Sequence, residues 1–235
     1  MRTIALAANL FAAALLACAG SAHASAVLKA QHASYTVIRN GKAMGDASYT
    51  LAHNPDGSWT LQSVTKGSAG MAKLVGLDVR EESTFRWNDG KPEGVRYDYK
   101  QDAAIKHKQR SIEFDWSSRQ AHITDNGKHF SYAIEPGTID RSTVAVQLGM
   151  LLAEGAHAAT LNVAQKDHLE QQSFEARTEE EISVPAGNFK AVLVERTDAS
   201  GKARSWYAPG MGALPLRVEQ VQGDGSTIVM ELRQR

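Results

Sequence analysis

The chain has 235 residues, and its 26 Lys and Arg residues balance 26 Asp and Glu residues, so the formal net charge is zero at pH 7. Proteins that bind a phosphate backbone carry clustered excess basic residues, and this balance therefore predicts no nucleic-acid partner. Cys18 is the single cysteine, which excludes an intramolecular disulfide and leaves stability to a buried core.

The first 24 residues have the pattern of a secretory signal peptide. Arg2 precedes an apolar run from Ile4 to Ala17, and Ala22-His23-Ala24 supplies the small residues of a cleavage site before Ser25. The run is about half the length that crosses a membrane, and no second run of spanning length follows, so we predict no transmembrane span. The mature chain is expected in the periplasm or secreted.

A second processing signal overlaps the first. Leu15-Leu16-Ala17-Cys18 fits a lipobox, in which Cys18 is lipid-modified and becomes the new N-terminus. The alternative to a free mature chain is therefore an outer-membrane lipoprotein anchored through Cys18. Both routes predict a protein of the cell envelope.

Alternation of apolar and polar residues, typical of half-buried β-strands, recurs along the mature sequence. Residues 33–37 and 47–51 flank Asn40-Gly41 and predict an opening hairpin. The same pattern follows in Trp59–Thr65, Val79–Trp87, Gly94–Lys100, Lys108–Trp116, Gln120–Asp125, His129–Ile134, Ala159–Ala164, Phe174–Val184, Phe189–Thr197, Ala203–Tyr207, Leu216–Gln222 and Thr227–Leu232. We predict about a dozen antiparallel strands.

Two segments have helical character instead. Ser68–Gly76 is a short candidate, and Ser142–Glu154 is stronger, since Asp140 or Ser142 could cap it and Gly155 could end it. Its apolar residues lie on both sides: Val144, Leu148, Leu151 and Leu152 on one, and Val146 and Met150 on the other. Such a helix must be enclosed, either by the sheet or by the sheet and a bound apolar ligand.

No low-complexity linker or fixed-period repeat divides the chain. We predict a signal peptide over residues 1–24 and a single β-rich domain over residues 25–235. An antiparallel sheet of this size must curl, close or split. The predicted fold is therefore mainly β: one large curved antiparallel sheet, a half-barrel or barrel, with one or two helices against its concave side.

Local signatures of catalysis are absent from the sequence. It contains no G-x-S-x-G, H-E-x-x-H or C-x-x-C motif and no glycine-rich phosphate loop. We therefore assign no catalytic residue, no cofactor and no metal site. The histidines are scattered; His122 and His129 could oppose each other across the Asn126-Gly127 turn, but ordinary solvated strand positions explain them equally well.

Aromatic residues recur at i, i+2 spacing on four segments, so each group shares one strand face. Facing inward on a curved sheet, they could line a cavity for a lipid, an acyl chain or another apolar small molecule. The alternative is that they form the core beneath the helix. The candidate ligand-binding residues are Trp59, Phe85, Trp87, Tyr97, Tyr99, Phe114, Trp116, Val146 and Met150.

The C-terminal third carries a family resemblance. Its motifs are Val184-Pro185-Ala186-Gly187-Asn188-Phe189, Trp206-Tyr207-Ala208-Pro209 and Leu214-Pro215-Leu216-Arg217-Val218. With Tyr35–Tyr49 and Gly137-Thr138-Ile139-Asp140, they resemble the bacterial envelope family of domain of unknown function 3108, whose name implies no activity. More loosely, the predicted architecture resembles that of the LolA and LolB lipoprotein carriers and receptors. In those proteins a curved sheet wraps helices around an apolar cavity, which is an analogy of fold.

Three functions remain open at the level of sequence. The first is a noncatalytic envelope protein that holds a lipid, an acyl chain or another apolar ligand. The second is a structural or protein-interaction module whose exposed edge strands engage an envelope protein partner. The third is a hydrolase whose site is assembled only in space.

Overall fold

The structure is a computed structural model that describes residues 27–88, 90–198 and 202–235. The expected signal peptide, its cleavage site and Cys18 lie outside the described residues.

Fourteen antiparallel strands form one sheet. They are β1 (Gln31–Arg39), β2 (Lys42–His53), β3 (Trp59–Gly67), β4 (Asp78–Asn88), β5 (Lys91–Ala103), β6 (Lys106–Asp115), β7 (Gln120–Asp125), β8 (Lys128–Ala133), β9 (Ala158–Ala164), β10 (Leu169–Val184), β11 (Gly187–Arg196), β12 (Ala203–Tyr207), β13 (Arg217–Val221) and β14 (Thr227–Gln234). Helix α1 (Gly70–Leu74) connects β3 to β4, and helix α2 (Thr143–Ala153) precedes β9. The predicted mainly β fold is confirmed.

The order of the strands follows the chain in two runs. From one edge, β8 leads through consecutive neighbours to β1; β1 then pairs with β14, and consecutive neighbours lead on to β9 at the other edge. The ladder does not close between β8 and β9. The Asn-Gly hairpins form as predicted, with positive φ at both residues of Asn40-Gly41 and of Asn126-Gly127, as a type I′ turn requires.

The segment ahead of α2 covers the edge formed by β9. Ile139 makes a parallel bridge to Val163, with its N–H donating to the carbonyl of Asn162 at 3.0 Å and its carbonyl accepting from Ala164 at 2.8 Å. The carbonyl of Thr138 accepts from the N–H of Gly94 on β5 at 3.0 Å. This segment satisfies backbone groups that an open edge would leave unpaired.

Helix α2 contributes apolar side chains to two clusters on opposite sides. Val146 and Met150 pack with residues of the central strands, including Tyr35, Leu61 and Phe85. Leu148 packs in a cluster that also contains Ile139, Leu161, Val163, Phe174, Val194 and Tyr207. The helix is thus enclosed by the sheet on both sides, as its two-sided apolar pattern predicts.

Asp140 fixes the start of α2. This fully buried carboxylate accepts hydrogen bonds from the backbone N–H groups of Ser142, at 2.8 Å, and Thr143, at 3.2 Å, and from the Thr143 hydroxyl at 2.8 Å. The Ser83 hydroxyl on β4 also donates to it at 2.7 Å. Burial raises the pKa of Asp140 above its ordinary value. Of the two candidate caps, Asp140 is therefore the one that caps the helix and ties it to the sheet.

Ser142 and Arg141 make a second connection to β4. The Ser142 hydroxyl donates to Glu81 Oε2 at 2.9 Å, and Arg141 lies 2.8 Å from Glu81 Oε1. Tyr97 on β5 donates to the same carboxylate at 2.7 Å. Together with Asp140, these contacts position the start of α2 against β4 and β5.

Candidate functional site

A cavity with a volume of about 750 Å³ lies beside helix α2. It lies between the C-terminal half of α2, the middle of β10 and β11, the loop that joins β12 to β13, and the segment before β1. Its apolar and glycine walls comprise Val27, Gly149, Met150, Leu152, Ala153, Gly155, Ala156, Ala176, Val192, Tyr207, Ala208, Pro209, Gly210, Gly212 and Ala213.

The cavity opens where β10 extends beyond the end of β9. β9 pairs with β10 only as far as Ala158 and Glu175, and the next hydrogen bond joins the Ala176 N–H to the His157 carbonyl at 2.8 Å. The register of β10 against β11 then shifts between Ala176 and Glu179. Such an irregularity bends a strand locally, and β10 here has no ladder partner on its β9 side. Space therefore remains beside α2.

Gly149 lets the opposite wall approach the helix. A Cβ atom at this position would lie 2.2 Å from the carbonyl oxygen of Ala213, a distance that side chains do not tolerate. The loop between β12 and β13 therefore rests directly on the backbone of α2. This contact forms a wall of backbone and small side chains.

The charged side chains of the cavity lining lie in its exposed parts, and the polar Gln31 is half-buried. Lys29, His157, Arg177, Thr178 and Glu179 are exposed, whereas Met150, Tyr207, Ala208 and Ala213 are buried. The Tyr207 hydroxyl donates to the Ala145 carbonyl at 3.0 Å, which satisfies its polar group away from solvent. The cavity therefore has an apolar interior and a polar mouth, an arrangement that suits an apolar or amphipathic molecule.

The charges at the mouth are partly compensated. Arg177 bonds to Glu195 at 2.8 Å and to Glu175 at 2.7 Å. Lys29 makes no ion pair with any residue that the structure describes. The mouth thus presents three charged groups. They are the Arg177 guanidinium, which is paired with two carboxylates, the Lys29 ammonium group, which is in no ion pair within the described residues, and the carboxylate of Glu179.

Comparison with known proteins identifies the family. The profile of the family described as "Protein of unknown function (DUF3108)" matches residues 34–233. The chain belongs to the DUF3108 family. The match covers most of the chain and confirms the family resemblance seen in the sequence.

One solved structure shares the fold of this DUF3108 chain. A β-barrel-like protein of domain of unknown function DUF1849 from Brucella abortus has 10% sequence identity and a TM-score of 0.55, over 87% of this chain and 96% of that one. Two further matches each have 12% identity and cover 86% of this chain and 93% of the other. They are a protein described as exported with a YmcC-like fold from Bacteroides fragilis, with a TM-score of 0.31, and a protein described as a lipoprotein from Parabacteroides distasonis, with a TM-score of 0.30. No curated protein matches the sequence.

The structure distributes the nine predicted ligand-binding residues over two packed clusters. Trp59, Phe85, Val146 and Met150 belong to the cluster at the central strands, with Trp87 packed against it. Tyr97 and Phe114 belong to a second cluster, with Tyr99 and Trp116 packed against it. Of the nine, Met150 lines the 750 Å³ cavity and Tyr99 lines a more polar cavity of about 510 Å³. The ligand-binding role of the set stays a prediction.

Sequence reasoning did not find most of the cavity walls in this DUF3108 protein. The missed residues are small ones on β10 and in the loop from Ala208 to Ala213, together with the N-terminal Val27 and Lys29. The available signal was the concentration of Pro, Gly and Ala that follows Tyr207. Its meaning depends on α2, which lies more than fifty residues away in the sequence.

His122 and His129 lie on one face of the β7–β8 hairpin but are not directly opposed. The register pairs His122 with Ser131 and Thr124 with His129, which places the two imidazoles diagonally. His122 Nδ1 lies 3.3 Å from Ser131 Oγ, and His129 Nδ1 lies 3.2 Å from Thr124 Oγ1. Within residues 27–88, 90–198 and 202–235, no group of three or more His, Cys, Asp or Glu residues is arranged to hold a metal ion.

The same described ranges contain no helix that is long and apolar enough to cross a membrane.

Proposed function

We propose that this DUF3108 protein is an exported, noncatalytic binding protein that holds an acyl chain or a similar apolar ligand in the 750 Å³ cavity beside α2. One observation carries the proposal: the buried part of the cavity lining is apolar, and the charged side chains lie at its mouth. The volume falls within the range of roughly 300–1,000 Å³ that small-molecule sites occupy. The N-terminal pattern of the sequence supports export.

The chemistry of the walls favours an extended hydrocarbon. Met150, Leu152, Val192 and the ring of Tyr207 offer apolar surface, and each methylene buried there is stabilised by about 0.8 kcal/mol. A polar head group would remain at the mouth near Lys29 and His157. The large aromatic side chains of the central strands would then support the cavity from outside and take no direct part in binding.

The proposal is tested with cis-parinaric acid, a fluorescent fatty acid, added to the purified chain of residues 25–235. Saturable binding is expected. Val192→Phe places a larger side chain in the cavity and should weaken binding by at least about tenfold, a loss of roughly 1.4 kcal/mol. The control is Val221→Phe, the same change at an exposed strand position outside the cavity lining.

Thermal unfolding of both variants separates loss of binding from loss of folding. An equal loss of affinity in the two variants would contradict the proposal, as would an absence of saturable binding by the unmodified chain. Weaker binding in the folded Val192→Phe variant alone would support it.

A further inference from the structure

Three exposed apolar side chains lie together at one end of the sheet. Met71 and Leu74 on α1 are 71% and 78% exposed, and Ile105, in the turn between β5 and β6, is 96% exposed. The N–H of Ala104 donates to the carbonyl of Val75 at 2.8 Å, so the turn lies against the end of α1. Met71, Leu74 and Ile105 are called the apolar tip below.

The fold holds the apolar tip in place without burying it. None of the residues of α1 is buried. Its position is set by the backbone instead: the Met44 carbonyl accepts from Ser68 at 3.1 Å and from Ala69 at 3.3 Å, and a Cβ atom at Gly67 would lie 2.4 Å from the carbonyl oxygen of Ala72. The tip therefore contributes little to the core, and its exposure calls for another explanation.

Lysines surround the apolar tip. Lys66, Lys73, Lys106 and Lys108 are exposed, and none of them forms an ion pair within the described parts of the chain. The carboxylates nearest the tip have basic partners of their own: Asp46, opposite Lys66, lies 2.7 Å from Arg233, Asp78 binds Arg80 at 3.1 Å, and Asp102 lies 3.0 Å from Lys100 and 2.9 Å from His107. The four lysines therefore give this end of the sheet a positive surface.

We propose that the apolar tip and its four lysines bind the surface of a bilayer that contains anionic phospholipid. Apolar side chains that enter the interface, combined with lysines that meet phosphate groups, are the two contributions that stabilise peripheral membrane binding. The positive charge of the four lysines favours an anionic bilayer, because a neutral or basic partner would leave the lysines unpaired. The patch is also small, with three side chains on a short helix and a turn, whereas a stable protein interface buries about 800 Å² on each partner.

The tip and the 750 Å³ cavity lie at opposite ends of the strands. Antiparallel strands alternate in direction, which places α1 and the β5–β6 turn where β1 ends at Arg39. The segment before β1 and the β12–β13 loop, which line the cavity, lie where β1 begins at Gln31. Membrane binding by the tip is therefore independent of the proposed function and is measured separately from it.

The test is cosedimentation of the chain of residues 25–235 with phosphatidylcholine vesicles, prepared with and without phosphatidylglycerol. Binding is expected to the vesicles that contain phosphatidylglycerol and should weaken with added salt. Leu74→Ser combined with Ile105→Ser should reduce it by at least about tenfold, the effect of roughly 1.4 kcal/mol. Met211→Ser, at an exposed apolar residue of the opposite end, is the matched control and should leave binding unchanged.

The electrostatic part is tested by Lys73→Glu combined with Lys106→Glu, with Lys91→Glu at the opposite end as its control. The paired change should abolish the preference for phosphatidylglycerol, and the control should retain it. Failure of the unmodified chain to bind, or equal losses in tip and control variants, would overturn the proposal. The two tip variants, Leu74→Ser with Ile105→Ser and Lys73→Glu with Lys106→Glu, should bind cis-parinaric acid normally if the cavity is its site, so failure of one proposal is distinguishable from failure of the other.

Discussion

Two regions of the same sheet differ in the size of the side chains that face the interior: strands β3 to β6, and the parts of β10 and β11 that line the cavity. Strands β3 to β6 contribute Trp59, Phe85, Tyr97 and Phe114, all of them buried in packed clusters. Strands β10 and β11 contribute Ala176 and Val192 to the cavity lining. Among the described residues, the large side chains of β3 to β6 pack without a cavity of this size between them, whereas the small side chains of β10 and β11 leave about 750 Å³ open beside α2. Because protein interiors otherwise pack to crystal density, the position of a cavity follows side-chain volume more closely than apolar character.

Helix α2 contacts both the packed region and the cavity. Val146 and Met150 extend the packed cluster, whereas Gly149 brings the β12–β13 loop onto the backbone of the helix. One element thus completes the core on one side and forms a cavity wall on another. The following changes test this difference, from the largest expected effect to the smallest.

Phe85→Ala should lower the free energy of unfolding by about 3–5 kcal/mol, because Phe85 is 0% exposed and its removal leaves a void among rigid neighbours. Chemical denaturation of the purified variant measures the loss. A cost below about 1 kcal/mol would show that water or a ligand already occupies this region, and the comparison between a filled and an open region would fail.

Gly149→Ala should lower the free energy of unfolding by about 1–3 kcal/mol, since the added methyl group would meet the Ala213 carbonyl and must displace the loop. The same denaturation experiment measures it. Ala153→Gly, at an exposed position of the same helix that also lines the cavity, should cost about 1 kcal/mol or less. A harmless Gly149→Ala change would mean that the loop does not rest on the helix as the structure shows.

Asp140→Asn should change how stability depends on pH. The folded-state pKa of Asp140 is raised by burial above its unfolded value of about 3.9, so the unfolded chain loses this proton first as the pH rises. The stability contributed by the protonated group is complete below that value and is lost as the pH rises towards the folded-state pKa. The free energy of unfolding of the unmodified chain, relative to the Asn variant, should therefore fall above about pH 4. A difference that stays constant or grows from pH 4 to 7 would show that the hydrogen-bond donors of Ser83, Ser142 and Thr143 outweigh burial.

Val192→Ala should have the smallest effect, about 1 kcal/mol or less, because this cavity-lining side chain is only partly buried before the change. Denaturation in the presence of cis-parinaric acid extends the test. Bound ligand should stabilise the unmodified chain through mass action, and to a smaller extent the variant. A large loss without ligand would place Val192 in a packed core instead.

Much of the fold follows from local patterns. Period-two alternation locates the strands, Asn-Gly pairs locate two hairpin turns, and apolar residues on both sides of Ser142–Glu154 predict an enclosed helix. Each of these signals acts over a few residues, since the alternation of side chains and the positive φ of a type I′ turn are properties of the local backbone. The family resemblance likewise rests on short motifs in the sequence, and the profile match over residues 34–233 confirms it.

The tertiary structure decided the features that join distant parts of the chain. Both Asp140 and Ser142 could cap α2, and the hydroxyl of Ser83, 57 residues away, selects Asp140 as the buried acceptor while Glu81 engages Ser142. The cavity depends on Gly149 meeting Ala213 and on β9 ending beside Ala176, and the apolar tip depends on a turn of β5 and β6 lying against α1. A sequence pattern specifies which side chains avoid water. Whether they fill a space or surround one is set by the volumes that distant segments bring together on folding.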